Sequence, residues 1–98
     1  MGWTVIKINE SGKEEKKLST EFEINNWDNL DLKQFRVAKY LDPYGDMTVN
    51  SRQFDDLKFD LRTIDNLGLT NQKILEELLK LIEDCKKEPH SYLKFYGD

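Results

Sequence analysis

Cysteine and histidine occur once each in this chain, as Cys85 and His90, and proline only twice. A single cysteine allows no intrachain disulfide and no multi-cysteine zinc site, and it points to a reducing, cytoplasmic setting. No segment is apolar over the roughly 20 residues that a bilayer-spanning helix requires, so no membrane partner is expected. The N-terminus lacks the basic region and apolar run of a secretory signal. Base is in deficit as well: 15 Lys and Arg against 19 Asp and Glu leave a net charge of -4. Phosphate contacts need clustered lysine and arginine, so a nucleic-acid partner is disfavoured. Glycine-rich phosphate loops, nucleophile elbows and HExxH metal motifs are all missing, and neither an enzyme nor a cofactor is expected.

What the chain does have is enough apolar material for one core. Hydrophobic residues make up 38% of the 98 positions, including two Trp, five Phe and four Tyr. That supports a single domain over residues 1–98 and leaves no room for a second core. The acids are unevenly spread. Residues 21–60 carry nine acids against five bases, so the middle of the chain holds the negative field.

Residues 3–8 are rich in β-branched and aromatic side chains, and residues 18–24 alternate apolar with polar, which predicts two strands. The polar, glycine-containing stretch between them predicts a hairpin. Residues 25–31 read as a loop pinned to the core by Trp27. Residues 32–41 place Phe35, Val37 and Leu41 at even spacing, and a third strand entering the following turn is favoured over a helix. In Asp42-Pro43-Tyr44-Gly45 the proline sets φ at the second position of a type I turn, the aspartate bonds the backbone beyond it, and glycine suits the fourth position.

Asn50-Ser51-Arg52-Gln53 has the form of a capping box, so a helix is expected to start near Ser51. Phe54, Leu57, Leu61 and Ile64 then recur at intervals of three and four, and Asp55 and Asp56 suit the positive end of the helix dipole. Ile74, Leu75, Leu78, Leu79, Ile82 and Cys85 mark a second amphipathic helix, with Thr70 as its expected N-cap and Glu76 and Lys80 as an i,i+4 pair. Residues 92–96 alternate, with Leu93 and Phe95 on one face and Tyr92, Lys94 and Tyr96 on the other, as in a final strand. The predicted fold is α+β: a small antiparallel or mixed sheet of an N-terminal hairpin, a third strand and a C-terminal strand, with a two-helix hairpin on one face.

The turn Leu41-Asp42-Pro43-Tyr44-Gly45-Asp46, the helix start at Asn50 and the ending Tyr92-Leu93-Lys94-Phe95-Tyr96-Gly97-Asp98 resemble a family of small uncharacterised bacterial proteins. In that family a DPYGD turn precedes an amphipathic helix and the chain closes on an aromatic strand. The resemblance covers residues 35–98. It implies a fold and carries over no catalytic residue. Some small acidic bacterial proteins are immunity partners of toxins, and by analogy an immunity or inhibitor role is one reading.

Three functional readings follow. The first is a cytoplasmic interaction module that offers Asp42, Tyr44, Asp46, Asp55, Asp56 and Asp60 to a basic protein partner, whose complementary field would speed association. The second is a small hydrolase or metal-dependent enzyme, which requires Asp42, Asp46 and His90 to converge in one pocket. The third is a homodimer built on an exposed strand edge, with the last strand as one candidate, or on the outer helix face. Cys85 falls on the apolar stripe of its helix and reads as a small buried hydrophobe rather than a nucleophile.

Overall fold

The computed structural model describes residues 1–97. It is an α+β fold in which one antiparallel sheet carries two helices on one face. The strands are β1 (Gly2–Ile8), β2 (Glu14–Lys17), β3 (Phe22–Glu23), β4 (Asp46–Val49) and β5 (Tyr92–Gly97), and the helices are α1 (Phe54–Asn66) and α2 (Gln72–Lys87). The sheet order is β2-β1-β5-β4, and β3 also pairs with β1.

The N-terminal hairpin forms as the sequence predicts, with a tighter tip. Asn9 Oδ1 accepts from the backbone N–H groups of Ser11 and Lys13, and Gly12 takes the left-handed conformation that closes the turn. Glu14–Lys17, whose first three residues the sequence places in the polar connection, is therefore zipped onto β1. The returning edge then breaks. Glu77 of α2 accepts from both the backbone N–H and the hydroxyl of Ser19, at 2.6 and 2.8 Å, and β3 resumes the pairing at Phe22. Of the expected strand over 18–24 only Phe22–Glu23 forms, and the break before it is held by a side chain 58 residues away.

The expected strand at 32–41 is not one. Two single 3-10 turns, Leu32–Gln34 and Ala38–Tyr40, occupy it. The cause lies on α1: the Asp60 carboxylate accepts the backbone N–H groups of Arg36, Val37 and Ala38, at 2.7–3.1 Å. Donors held by a carboxylate cannot serve a strand ladder. The third strand comes after the turn instead, as β4, and it pairs with β5. The last strand is consequently central, between β1 and β4, and offers no free edge.

Both helices form close to where periodicity puts them, with altered starts. Gln53 Oε1 accepts from Asn50 N–H as a capping box requires, but Asn50 Oδ1 accepts from Arg52 instead of Gln53, and α1 begins at Phe54. At α2 the cap is Asn71, whose Oδ1 accepts from the N–H groups of Lys73 and Ile74. Thr70, the expected cap, donates its hydroxyl to the Glu23 carbonyl and ties the start of α2 to the sheet edge. The helices run antiparallel, because Asp55 pairs with Lys86 and Lys58 with Glu83, linking the start of one to the end of the other.

The core lies between sheet and helices. Trp3, Val5, Leu93, Phe95 and Val49 point inward from the strands and meet Leu57, Leu61, Ile64, Leu78 and Ile82. Trp27, buried as expected, meets Trp3 edge to face with centroids 5.2 Å apart. The Trp3 indole N–H also donates to the Asp42 carbonyl at 2.9 Å, so the core holds the turn directly. From its other side the turn rests on Gly97, whose N–H donates to the Gly45 carbonyl. A Cβ at position 97 would meet the Asp42 carbonyl oxygen and stand 2.5 Å from the Pro43 carbonyl atoms. Gly97→Ala is therefore expected to cost about 1–3 kcal/mol in chemical denaturation, since backbone on both sides must move. An unchanged midpoint would mean that the turn does not sit on β5 in solution.

Several carboxylates tie the layers together, and their acidity records it. Lys86 beside Asp55 and Lys58 beside Glu83 hold those carboxyls below the usual range. Ser19 does the same for Glu77, and Lys16, at 2.7 Å, for Asp84. Groups whose folded pKa is depressed stabilise fully above their unfolded pKa and lose that contribution as pH falls through the folded value. The urea midpoint should accordingly fall on acidification below the ordinary Asp and Glu range, and Glu77→Gln should make that fall shallower. An identical slope in the variant would remove Glu77 from the account.

Candidate interaction surface

Because the helices cover one face of the sheet, every second strand residue is turned to the other face. There Thr4 lies opposite Tyr96, Ile6 opposite Lys94 and Ile8 opposite Tyr92. β4 adds Asp46 beside Tyr96 and Thr48 beside Lys94, and β2 adds Lys17 beside Ile6. The β1 and β5 members of this face are half-buried, and at its centre Lys94 stands between Tyr92 and Tyr96, opposite Ile6. Lys94 holds its ammonium 4.9 Å from the centre of the Tyr96 ring.

Tyr44 stands at one corner of the sheet, in the turn just before β4, and is 76% exposed. Its ring is presented by a rigid loop: Asp42 Oδ1 accepts from Tyr44 N–H at 2.9 Å, and Gly45 N–H donates to the Asp42 carbonyl. A large aromatic held out by a fixed backbone loses little conformational entropy when a partner covers it. Asp42 and Asp46 are exposed beside it and give this corner a negative rim.

The six residues proposed from sequence do not form one patch. Asp42, Tyr44 and Asp46 share that corner. Asp55 and Asp56 lie at the start of α1, beyond the opposite end of β4, and each already faces a cation, Lys86 at 2.8 Å and Arg36 at 3.1 Å. The Arg36 guanidinium in turn stacks 3.8 Å from the centre of the Phe59 ring. Asp60 is 0% exposed, and its carboxylate serves the backbone of residues 36–38. It is a structural clamp, not a surface acid.

The second reading needed Asp42, Asp46 and His90 together, and the sheet separates them. Asp46 pairs with Tyr96, whereas His90 precedes Tyr92 at the other end of β5. The strand alone puts roughly 13 Å between those ends. His90 is exposed in a left-handed turn (φ 61°), with Nδ1 4.0 Å from a Glu10 carboxylate oxygen. Among the described residues no group of three or more His, Cys, Asp or Glu could hold a metal ion. Asp98 lies outside the described residues. Cys85 is buried, and that burial pushes its thiol up to about 11, far from a thiolate nucleophile.

One charged group escaped the sequence reading altogether. Lys7 follows Trp3 and Val5 on the inward side of β1 and is 2% exposed, beside Glu88 at 3.1 Å and Glu15 at 3.8 Å. Burial works against its charge, but the Glu88 hydrogen bond and the surrounding negative groups outweigh that and leave the ammonium above its usual pKa. The odd-numbered alternation of β1 was the available signal. The outward Thr4, Ile6 and Ile8 follow from the same alternation once β5 is known to lie beside them.

A polar cleft of about 550 Å³ opens at the start of α2, between Glu21, Glu23, Asn25 and Thr70. Its lining holds two carboxylates and two threonine hydroxyls, with neither His nor Cys. No helix of the described chain is long and apolar enough to cross a membrane. No protein-family model, curated protein or solved structure matches the chain.

Proposed function

We propose that the chain is a protein–protein interaction module whose binding surface is the open sheet face with Tyr44 at its corner. The observation that supports this most is the band of Ile6, Ile8, Tyr92 and Tyr96, aligned across β1 and β5 with no element of the described chain laid over it. Interfaces favour tyrosine and apolar side chains, and here they surround the cation Lys94. Asp42 and Asp46 make the Tyr44 corner suited to a basic group on the partner, as an inhibitor or immunity protein would need. A reducing, cytoplasmic setting suits a chain with one buried thiol.

The test is affinity capture of the tagged protein from its own cell lysate, with Ile6→Glu and Tyr44→Ala run in parallel. Glutamate at position 6 stands between Lys17 and Lys94, so the sheet should tolerate it. A specific partner retained by the wild type and lost by Ile6→Glu is the expected result. Retention by both variants would discard this face. If the wild type sediments as a dimer that Ile6→Glu dissociates, the partner is a second copy.

A further inference from the structure

On the far side of the molecule the antiparallel helices leave an outward cleft of about 430 Å³ between them. Leu79, packed partly against the core, gives it an apolar lining, and Lys58, Arg62, Lys80 and Lys87 surround it. The two acids at its wall are already engaged: Glu83 by Lys58 at 2.6 Å and Asp84 by Lys16 at 2.7 Å. Arg62, Lys80 and Lys87 make no ion pair with any described residue. Lys80 does not take up the i,i+4 partnership with Glu76 that the sequence predicted. The cleft carries four cations against two acids, in a chain whose net charge is -4.

We propose that this cleft is a second docking site, which takes an acidic amphipathic helix of a partner protein. The shape fits a third helix. Its lining runs from Lys58 to Arg62 on α1 and from Leu79 to Lys87 on α2, so the groove spans about 12 Å, roughly two helical turns. Lys80 and Lys87 are seven residues apart on α2, about 10 Å along its axis. An incoming helix with carboxylates at the same seven-residue spacing would meet both, and a leucine just beyond the carboxylate that meets Lys80 would cover Leu79. Nucleic acid fits poorly, because phosphate binding needs a broader basic surface and the chain as a whole repels it. A second copy of this chain would have to dock its acidic corner on the basic cleft, a head-to-tail contact that closes into a ring or grows open-ended, and either shows as self-association.

The probe is a fluorescein-labelled helical peptide of about 15 residues with glutamates seven apart and leucines on one stripe, followed by anisotropy at low and moderate salt. Saturable binding is expected, weakened roughly tenfold or more by Arg62→Glu with Lys80→Glu and unaffected by Ile6→Glu on the opposite face. Both charge-reversed positions are exposed, so the variant should fold, and circular dichroism checks it. The site is overturned if the peptide fails to bind at low salt, if charge reversal leaves binding intact, or if a scrambled peptide of equal charge without the leucine stripe binds as well. Head-to-tail association of the protein alone, seen by sedimentation and abolished by the same reversal, would also overturn it by assigning the cleft to a second copy. Loss of binding at the sheet face leaves this site standing, since the two surfaces are tested by separate variants.

Discussion

Asp60→Ala should lower the unfolding free energy by roughly 3–5 kcal/mol, because it removes the sole acceptor identified for three consecutive backbone N–H groups in the protein interior. Asp60 Oδ2 accepts from Arg36, Val37 and Ala38, and Oδ1 accepts from Arg36 as well. Burial of an unpaired amide donor costs about 1–3 kcal/mol, and alanine leaves a void where no side-chain acceptor replaces the carboxylate. Asp60→Asn should fall between, at about 1–3 kcal/mol. Its amide oxygen can keep the bonds to Val37 and Ala38, while its NH2 group confronts the Arg36 N–H. Urea titration measures the losses, and hydrogen exchange at residues 36–38 should accelerate by more than the global loss if the segment opens locally. A loss below about 1 kcal/mol in Asp60→Ala would show that the carboxylate is not the clamp described. The same clamp sets the path of the chain into the Asp42 turn, so Asp60→Ala should also weaken any partner held at Tyr44.

Trp3→Ala is expected to cost about 3–5 kcal/mol, the range for truncating a large buried aromatic. Trp3 is fully buried, contacts Trp27 edge to face, and donates to the Asp42 carbonyl. Trp3→Phe separates these contributions. It keeps most of the apolar volume and removes the hydrogen bond, so a smaller loss of about 1–2 kcal/mol is expected, with its structural effect concentrated at the turn. The readout that distinguishes packing from turn-holding is the environment of Tyr44 and Gly97, followed by amide chemical shifts. If Trp3→Phe shifts nothing at residues 42–45, the indole N–H does not position the turn. Both experiments bear on function through one element, because the loop that carries Tyr44 is held from three sides, by Trp3, by Gly97 and, one segment earlier, by Asp60.

The sequence by itself determined what each segment could bury. Phe54, Leu57, Leu61 and Ile64 define one face of α1, and the stripe from Leu75 to Cys85 defines one face of α2. Both faces are buried. Leu93 and Phe95 mark the inward side of β5, and Tyr92, Lys94 and Tyr96 mark the side that remains open. The Asp42 turn and the anchoring of Trp27 were legible for the same reason: a local pattern states a local need. Only the tertiary structure decided which segments meet. Residues 32–41 alternate well enough for a strand, yet Asp60 takes their amide hydrogens. Asp46–Val49 shows too short a pattern to stand out, yet β5 supplies its ladder. Asp60 is an acid that composition assigns to the surface, yet the backbone N–H groups of residues 36–38 hold it inside. The candidate sheet face and the cleft between the helices likewise needed the third dimension, since each is assembled from residues far apart in the chain. Periodicity reports the polarity of a segment's two sides, whereas hydrogen-bond partners across 20 to 60 residues depend on how those sides are brought together.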